Sequence, residues 1–86
     1  MEMKSVPELA PGCRLHPTHD VLLVPEGTLR LSGSTRDILT RVDGTRSVTA
    51  VVEDLLGAYP DASESEVRKD VLELLERLEQ RGVVRA

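Results

Sequence analysis

The twelve residues from Val21 to Ser32 constrain the fold more than any other stretch. Val21-Leu22-Leu23-Val24 runs into Pro25-Glu26-Gly27, and Thr28-Leu29-Arg30-Leu31-Ser32 runs out of it. Pro25 presets φ for the first turn position, and Gly27 accepts a positive φ. A three-residue hairpin loop with a bulge requires both. In the outgoing segment Leu29 and Leu31 point to one face, and Thr28, Arg30 and Ser32 to the other. The pattern predicts a β-hairpin. If the chain enters a helix after Ser32, the outgoing strand gains no later partner. It is then a short sheet edge with unpaired N–H and C=O groups, and such an edge accepts an extended peptide.

The segments before the hairpin are short. Residues 1–12 carry Pro7, Pro11, Gly12 and scattered charges, and are expected to form a flexible N-terminal arm. Cys13-Arg14-Leu15-His16 is expected as a first strand, and Pro17-Thr18-His19-Asp20 as the turn into the hairpin. Three sequential strands form an antiparallel meander.

From Ser32 onward the apolar period changes from 2 to about 3.6. Ser34 and Asp37 resemble a capping pair, Ile38, Leu39 and Val42 form a stripe, and Asp43-Gly44 ends the first helix. Val48, Val51, Val52, Leu55 and Leu56 give a second helix that starts near Ser47 and ends at Gly57 and Pro60. Ser63-Glu64-Ser65-Glu66 has the form of a capping box. Val67, Val71, Leu74, Leu75 and Leu78 follow it, and Gly82 closes the third helix. Arg77 and Arg81 sit where the helix dipole favours cations. Val83-Val84 add a last extended contact. The expected fold is therefore α+β: a small three-stranded antiparallel sheet followed by three helices, similar to a winged helix, over residues 13–86.

At 100° per residue, Val67, Val71, Leu74 and Leu78 share about 60° of arc on the third helix. Leu72 lies well off that stripe, beside Arg68 and Glu79. Either it packs on the sheet or the N-terminal arm or stands exposed singly, or Arg68, Leu72, Leu75 and Glu79 form one wall of a groove for a partner.

Composition narrows the function. The chain has 86 residues, enough for one domain with a modest core, and 40% of them are hydrophobic. There is one Tyr and no Phe or Trp, so no platform exists for stacking bases. The net charge is −4, which lacks the basic footprint of nucleic-acid binding. A winged helix that reads DNA would place its third helix in the major groove. From Ser63 to Gly82 that helix carries six acids (Glu64, Glu66, Asp70, Glu73, Glu76, Glu79) and four bases (Arg68, Lys69, Arg77, Arg81), a net of −2 that repels phosphate. A DNA-binding or accessory regulatory role is therefore the rival reading. No apolar run reaches the roughly 18 residues of a membrane span. Cys13 is the single cysteine, which forbids an internal disulfide and points to a cytoplasmic location; Cys13 itself reads as a small strand residue.

No enzyme site is evident. His16, His19 and Asp20 have an H-x-x-H-D look, but Pro17 prevents the helix that would bring the two imidazoles to one face. Too few ligands follow for a closed metal site. They read as solvated turn residues, with no metal. No Gly-rich loop with a following Lys cradles phosphate, and no Ser or Cys sits in a nucleophile elbow. No cofactor is expected.

Several pieces together carry a resemblance. They are Arg14-Leu15, Val21-Leu22-Leu23-Val24-Pro25-Glu26-Gly27, Leu29-x-Leu31, Ile38-Leu39, Asp43-Gly44-x-Arg46-x-Val48, Tyr59-Pro60, Asp70-Val71-x-x-Leu74-Leu75 and Gly82-Val83-Val84. Over about residues 13–84 the chain resembles the coenzyme PQQ synthesis protein D (PqqD) family, whose members act as RiPP precursor-peptide recognition elements. The resemblance implies a non-catalytic peptide chaperone in pyrroloquinoline quinone biosynthesis. Such a chaperone binds a PqqA-like precursor peptide and presents it to a PqqE-like radical S-adenosylmethionine (SAM) enzyme. That enzyme cross-links a Glu and a Tyr of the peptide. The resemblance also implies that the leader adds as a strand to the third strand of the meander, against the third helix. Carried onto this sequence, the edge is Thr28, Leu29, Arg30, Leu31 and Ser32, and the helix wall is Arg68, Val71, Leu72 and Leu75. Arg30 and Arg68 are candidates to pair with acids of the peptide. The expected state is a monomer or a weak homodimer through the open edge.

Overall fold

The computed structural model describes all residues from Met1 to Ala86. Along the chain come β1 (Glu8–Leu9), β2 (Arg14–Leu15), β3 (Val21–Val24), β4 (Gly27–Arg30), α1 (Thr35–Leu39), α2 (Val48–Ala58), α3 (Glu64–Gln80) and β5 (Val84–Arg85). The expected α+β architecture is present: β2, β3 and β4 form an antiparallel sheet in that order, followed by three helices.

The hairpin has Val21 opposite Arg30, Leu22 opposite Leu29, Leu23 opposite Thr28 and Val24 opposite Gly27. Pro25 and Glu26 alone make the loop, one residue fewer than expected. Gly27 already stands in the ladder, with a φ of +147° that a side chain rarely adopts. Leu22, opposite both Leu15 and Leu29, is fully buried and anchors the sheet to the helices.

The helices form where the 3.6-residue period places them, but their starts differ from expectation. α1 is only five residues long and Ser34 caps nothing with its side chain. Asp37 does not reach back to it; its carboxylate instead accepts the hydroxyl of Tyr59. Ser47 does cap α2, its Oγ accepting the Ala50 amide at 3.1 Å. The capping box at Ser63 is not made, and its Oγ meets Ser65 Oγ at 3.1 Å. Glu64 pairs with Arg68 at 2.8 Å, one turn along the helix. Glu64 and Glu66 still place negative charge on the positive end of the dipole. At the other end the Gly82 amide donates to the Glu79 carbonyl at 3.0 Å and the Val83 amide to the Leu78 carbonyl at 2.9 Å. These are the two bonds of a Schellman motif, closed by apolar contact between its flanking residues. Leu78 and Val83 are both buried in the core.

The first twelve residues, expected as a flexible arm, are laid across the domain. β1 pairs antiparallel with β5, and the Gly44 amide donates to the Pro7 carbonyl at 3.0 Å. The Val48 amide donates to Ser5 and the Thr49 amide to Met3, both carbonyls at 2.9 Å. The physical reason lies at the start of α2, whose first amides have no partner within the helix. Carbonyls of the arm supply partners that a scan for periodicity does not reveal. Pro7 is buried, and Met1 and Met3 pack against the core.

Candidate peptide-binding groove

The outgoing strand of the hairpin is a sheet edge. Leu31 donates its amide to the Asp20 carbonyl at 2.8 Å. Antiparallel ladders alternate, so residues 27, 29 and 31 turn their main-chain groups toward β3 and residues 28, 30 and 32 turn theirs away. Nothing else in the chain bonds to the outward groups of Thr28 and Arg30. The Ser32 carbonyl accepts the Thr35 amide at 3.2 Å, so the open ladder stops where α1 begins.

The side chains alternate with the backbone. Thr28, Arg30 and Ser32 are exposed, while Leu29 is half-buried and Leu31 buried. Leu29 and Leu31 slope into a groove whose far wall is α3. Leu74 and Leu78 form that wall with Arg77 and Arg81, and Thr35 closes one end.

This wall is not the expected one. Arg68, Val71, Leu72 and Leu75 do not line the groove beside β4. Val71 and Leu75 are 0% exposed and have no surface to offer, whereas Leu74 and Leu78 keep 7% and 8% at the groove floor. Arg68 stands exposed in its pair with Glu64. Leu72 is half-buried and packs against the core. It shares its side of α3 with Glu76 and Glu79, which meet the amino group of Met1 at 3.9 and 3.8 Å. By helical geometry Leu72 lies roughly 140° around α3 from the middle of the Leu74–Leu78 stripe. Leu74 and Leu78 were legible only as core, and Arg77 and Arg81 only as dipole partners. A stripe at the margin of a core serves both the interior and a groove.

The turn before β3 is held in place by Arg36. Its guanidinium donates to the carbonyls of His16 and His19, both at 2.7 Å. His16 Nδ1 accepts the amides of Thr18 at 3.1 Å and His19 at 3.0 Å. The two histidines are thus occupied in turn geometry, and no three His, Cys, Asp or Glu side chains come together in a cluster. A second hollow, among Ile38, Leu55, Tyr59 and Val67, has no strand edge beside it. No helix is long and apolar enough to cross a membrane.

The model for the family described as Coenzyme PQQ synthesis protein D (PqqD) matches residues 21–84. A PqqA binding protein of Stutzerimonas stutzeri is 39% identical over 80 residues, which is 88% of this chain and 85% of that one. Another, of Azotobacter vinelandii, is 39% identical over 84 residues, covering 93% and 89%. Among solved structures, the chain is similar to the solution NMR structure of the PqqD truncation of Methylobacterium extorquens PqqCD, described as a stand-alone RiPP recognition element. The TM-score is 0.82 at 31% identity, covering 99% of this chain and 94% of that one. With three quarters of its length inside the family model and relatives that match it almost end to end, this chain belongs to the PqqD family.

Proposed function

We propose that this domain binds the ribosomally made precursor peptide of pyrroloquinoline quinone biosynthesis by strand addition to β4, and presents it to a radical SAM enzyme. One observation carries the reading: the unpaired main-chain groups of Thr28 and Arg30 lie alongside a groove floored by Leu29, Leu31, Leu74 and Leu78. An added strand gains main-chain hydrogen bonds that do not depend on its sequence, and alternate side chains enter the groove for selectivity. The names of the relatives, PqqA binding proteins, support the same ligand class. The chain is a binding protein, not an enzyme. In this reading its product is an ordered, extended peptide backbone, which a modifying enzyme then meets in one conformation.

The test is a titration of isotope-labelled protein with the PqqA precursor peptide. Amide shifts are expected along Thr28–Ser32 and Leu74–Arg81. Shifts confined to the first twelve residues or to the Tyr59 hollow reject the placement. Methylating the peptide nitrogens that face β4 is expected to abolish binding, and methylating the alternate ones to leave it.

A further inference from the structure

The chain as a whole is acidic, yet the groove is not. Arg77 and Arg81 of α3 line it, and neither has an ion-pair partner. Arg30 borders it through the outward main chain of β4, with its side chain on the face opposite Leu29 and Leu31. Arg36, Arg46, Arg68 and Arg85 each have one. The two cations follow one another along α3. Arg81 also borders the hairpin turn, beside Val24, Glu26, Gly27 and Thr28, where Glu26 is the one acid at that end. The opposite end, at Ser32–Thr35, is bordered by Asp70 and Glu73 on α3, which are equally unpaired. Arg77 lies between the two ends. Along the α3 wall charge therefore changes sign, from Asp70 and Glu73 beside Ser32 to Arg77 and then Arg81 toward Thr28. The distance along α3 from Asp70 to Arg81 is about 16 Å by helical rise. Five residues of an added strand span a similar length.

We propose that this gradient along α3 selects the charge polarity of the bound peptide: acidic residues seat toward Arg77 and Arg81, and basic residues toward Asp70 and Glu73. The inference rests on the strand-addition reading and deepens it by naming the class of ligand, a dipolar extended peptide. Main-chain bonds hold any chain, and the apolar floor accepts any small aliphatic side chain. Neither distinguishes the two directions of a strand strongly, since antiparallel pairing is only slightly the more stable. Unlike charges at the two ends do, because reversing a dipolar peptide replaces attraction with repulsion at both ends. Each exposed pair is weak alone. Several acting together bias the direction, and they do so most at low salt.

The experiment uses the full chain, isotope-labelled, and two capped nine-residue peptides with a Val-Thr-Val-Thr-Val centre. One carries two Glu at its N-terminal end and two Lys at its C-terminal end; the other carries them reversed. Each is made with a nitroxide at either end, and the PqqA precursor peptide is titrated in parallel. At least one dipolar peptide is expected to bind. In each that does, the nitroxide at the Glu end broadens amides of Gly27–Leu29 and Arg81–Gly82, and that at the Lys end broadens Gly33–Thr35 and Asp70. Combining Arg77→Glu with Arg81→Glu is expected to weaken that binding about tenfold at low ionic strength, with helicity retained. The inference is overturned if the Glu end lies beside Asp70, if both ends broaden both sites equally, or if neither dipolar peptide binds while the precursor peptide shifts Thr28–Ser32. If the precursor peptide leaves those amides unmoved as well, the strand-addition reading falls with it.

Discussion

The amide of Leu31 donates to the carbonyl of Asp20 at 2.8 Å, and this bond sets the parity of the whole β4 edge. With Leu31 turned inward, Leu29 turns inward too, and the amides of Thr28 and Arg30 face solvent. Hydrogen exchange is therefore expected to alternate along this strand. In the free protein Leu29 and Leu31 exchange slowly, and Thr28 and Arg30 exchange at nearly the rate of an open chain. On saturation with the precursor peptide only the second pair is expected to gain protection. Equal protection of all four amides in the free protein would mean the edge is already covered.

Gly82 ends α3 with a φ of +76°, which lets the Val83 amide reach the Leu78 carbonyl. A Cβ built there meets nothing within 4 Å, so the cost of Gly82→Ala is backbone strain alone. That strain is about 1–2 kcal/mol. For a domain of this size each kcal/mol lowers Tm by roughly 4–8 °C. Thermal denaturation followed by circular dichroism checks this, and an unchanged Tm would show that the helix end relaxes at no cost.

The fold was legible where local chemistry and apolar period agree. The meander, the three helices and the Gly82 cap all follow from runs of Leu and Val and from glycine placement. The capping box at Ser63 shows the limit of motif reading: the residues are right, but Ser63 turns to Ser65 and Glu66 makes no bond back to the Ser63 amide. Contacts distant in sequence left no local trace. The carbonyls of Met3 and Ser5 serve α2, more than forty residues away, and no pattern in a Pro-containing arm announces that. The site divides in the same way. Its edge strand was readable from alternation within Thr28–Ser32. Its helix wall was not, because the sequence tells which α3 residues are apolar and not which of them meet β4. Leu72 stood out as an apolar residue off the stripe, and the structure seats it against the core on the other side of the helix.

The placement of Leu72 has its own consequence. Because it packs against the core away from the groove, Leu72→Ala is expected to cost stability and leave peptide affinity unchanged. A large-to-small change at a fully buried Leu costs about 2–5 kcal/mol, and half-burial puts this site at or below the lower end. Urea denaturation measures the loss, and calorimetric titration below the transition measures affinity. A variant with unchanged stability and weakened binding would return Leu72 to the binding surface.

Tyr59 is the only tyrosine and the chain has no tryptophan, so its ionisation is visible by absorbance without interference. Its hydroxyl donates to the Asp37 carboxylate, which lies 22 residues earlier and fixes the α2–α3 loop against α1. That hydrogen bond is the main cause of a raised phenol pKa, and the nearby negative charge adds to it. Both favour the protonated phenol, since a phenolate beside a carboxylate loses the bond and gains repulsion. The titration midpoint is expected above the ordinary value of 10.0, and Asp37→Asn is expected to bring it back toward that value. The sign of the stability effect follows. A pKa raised by folding stabilises the fold fully below the unfolded value and loses that contribution as pH rises through the folded one. The stability difference between the natural protein and Asp37→Asn is therefore expected to hold at pH 8 and to shrink as the phenol ionises. A midpoint at or below 10 in the folded protein would show that the loop is not held to α1 by this contact.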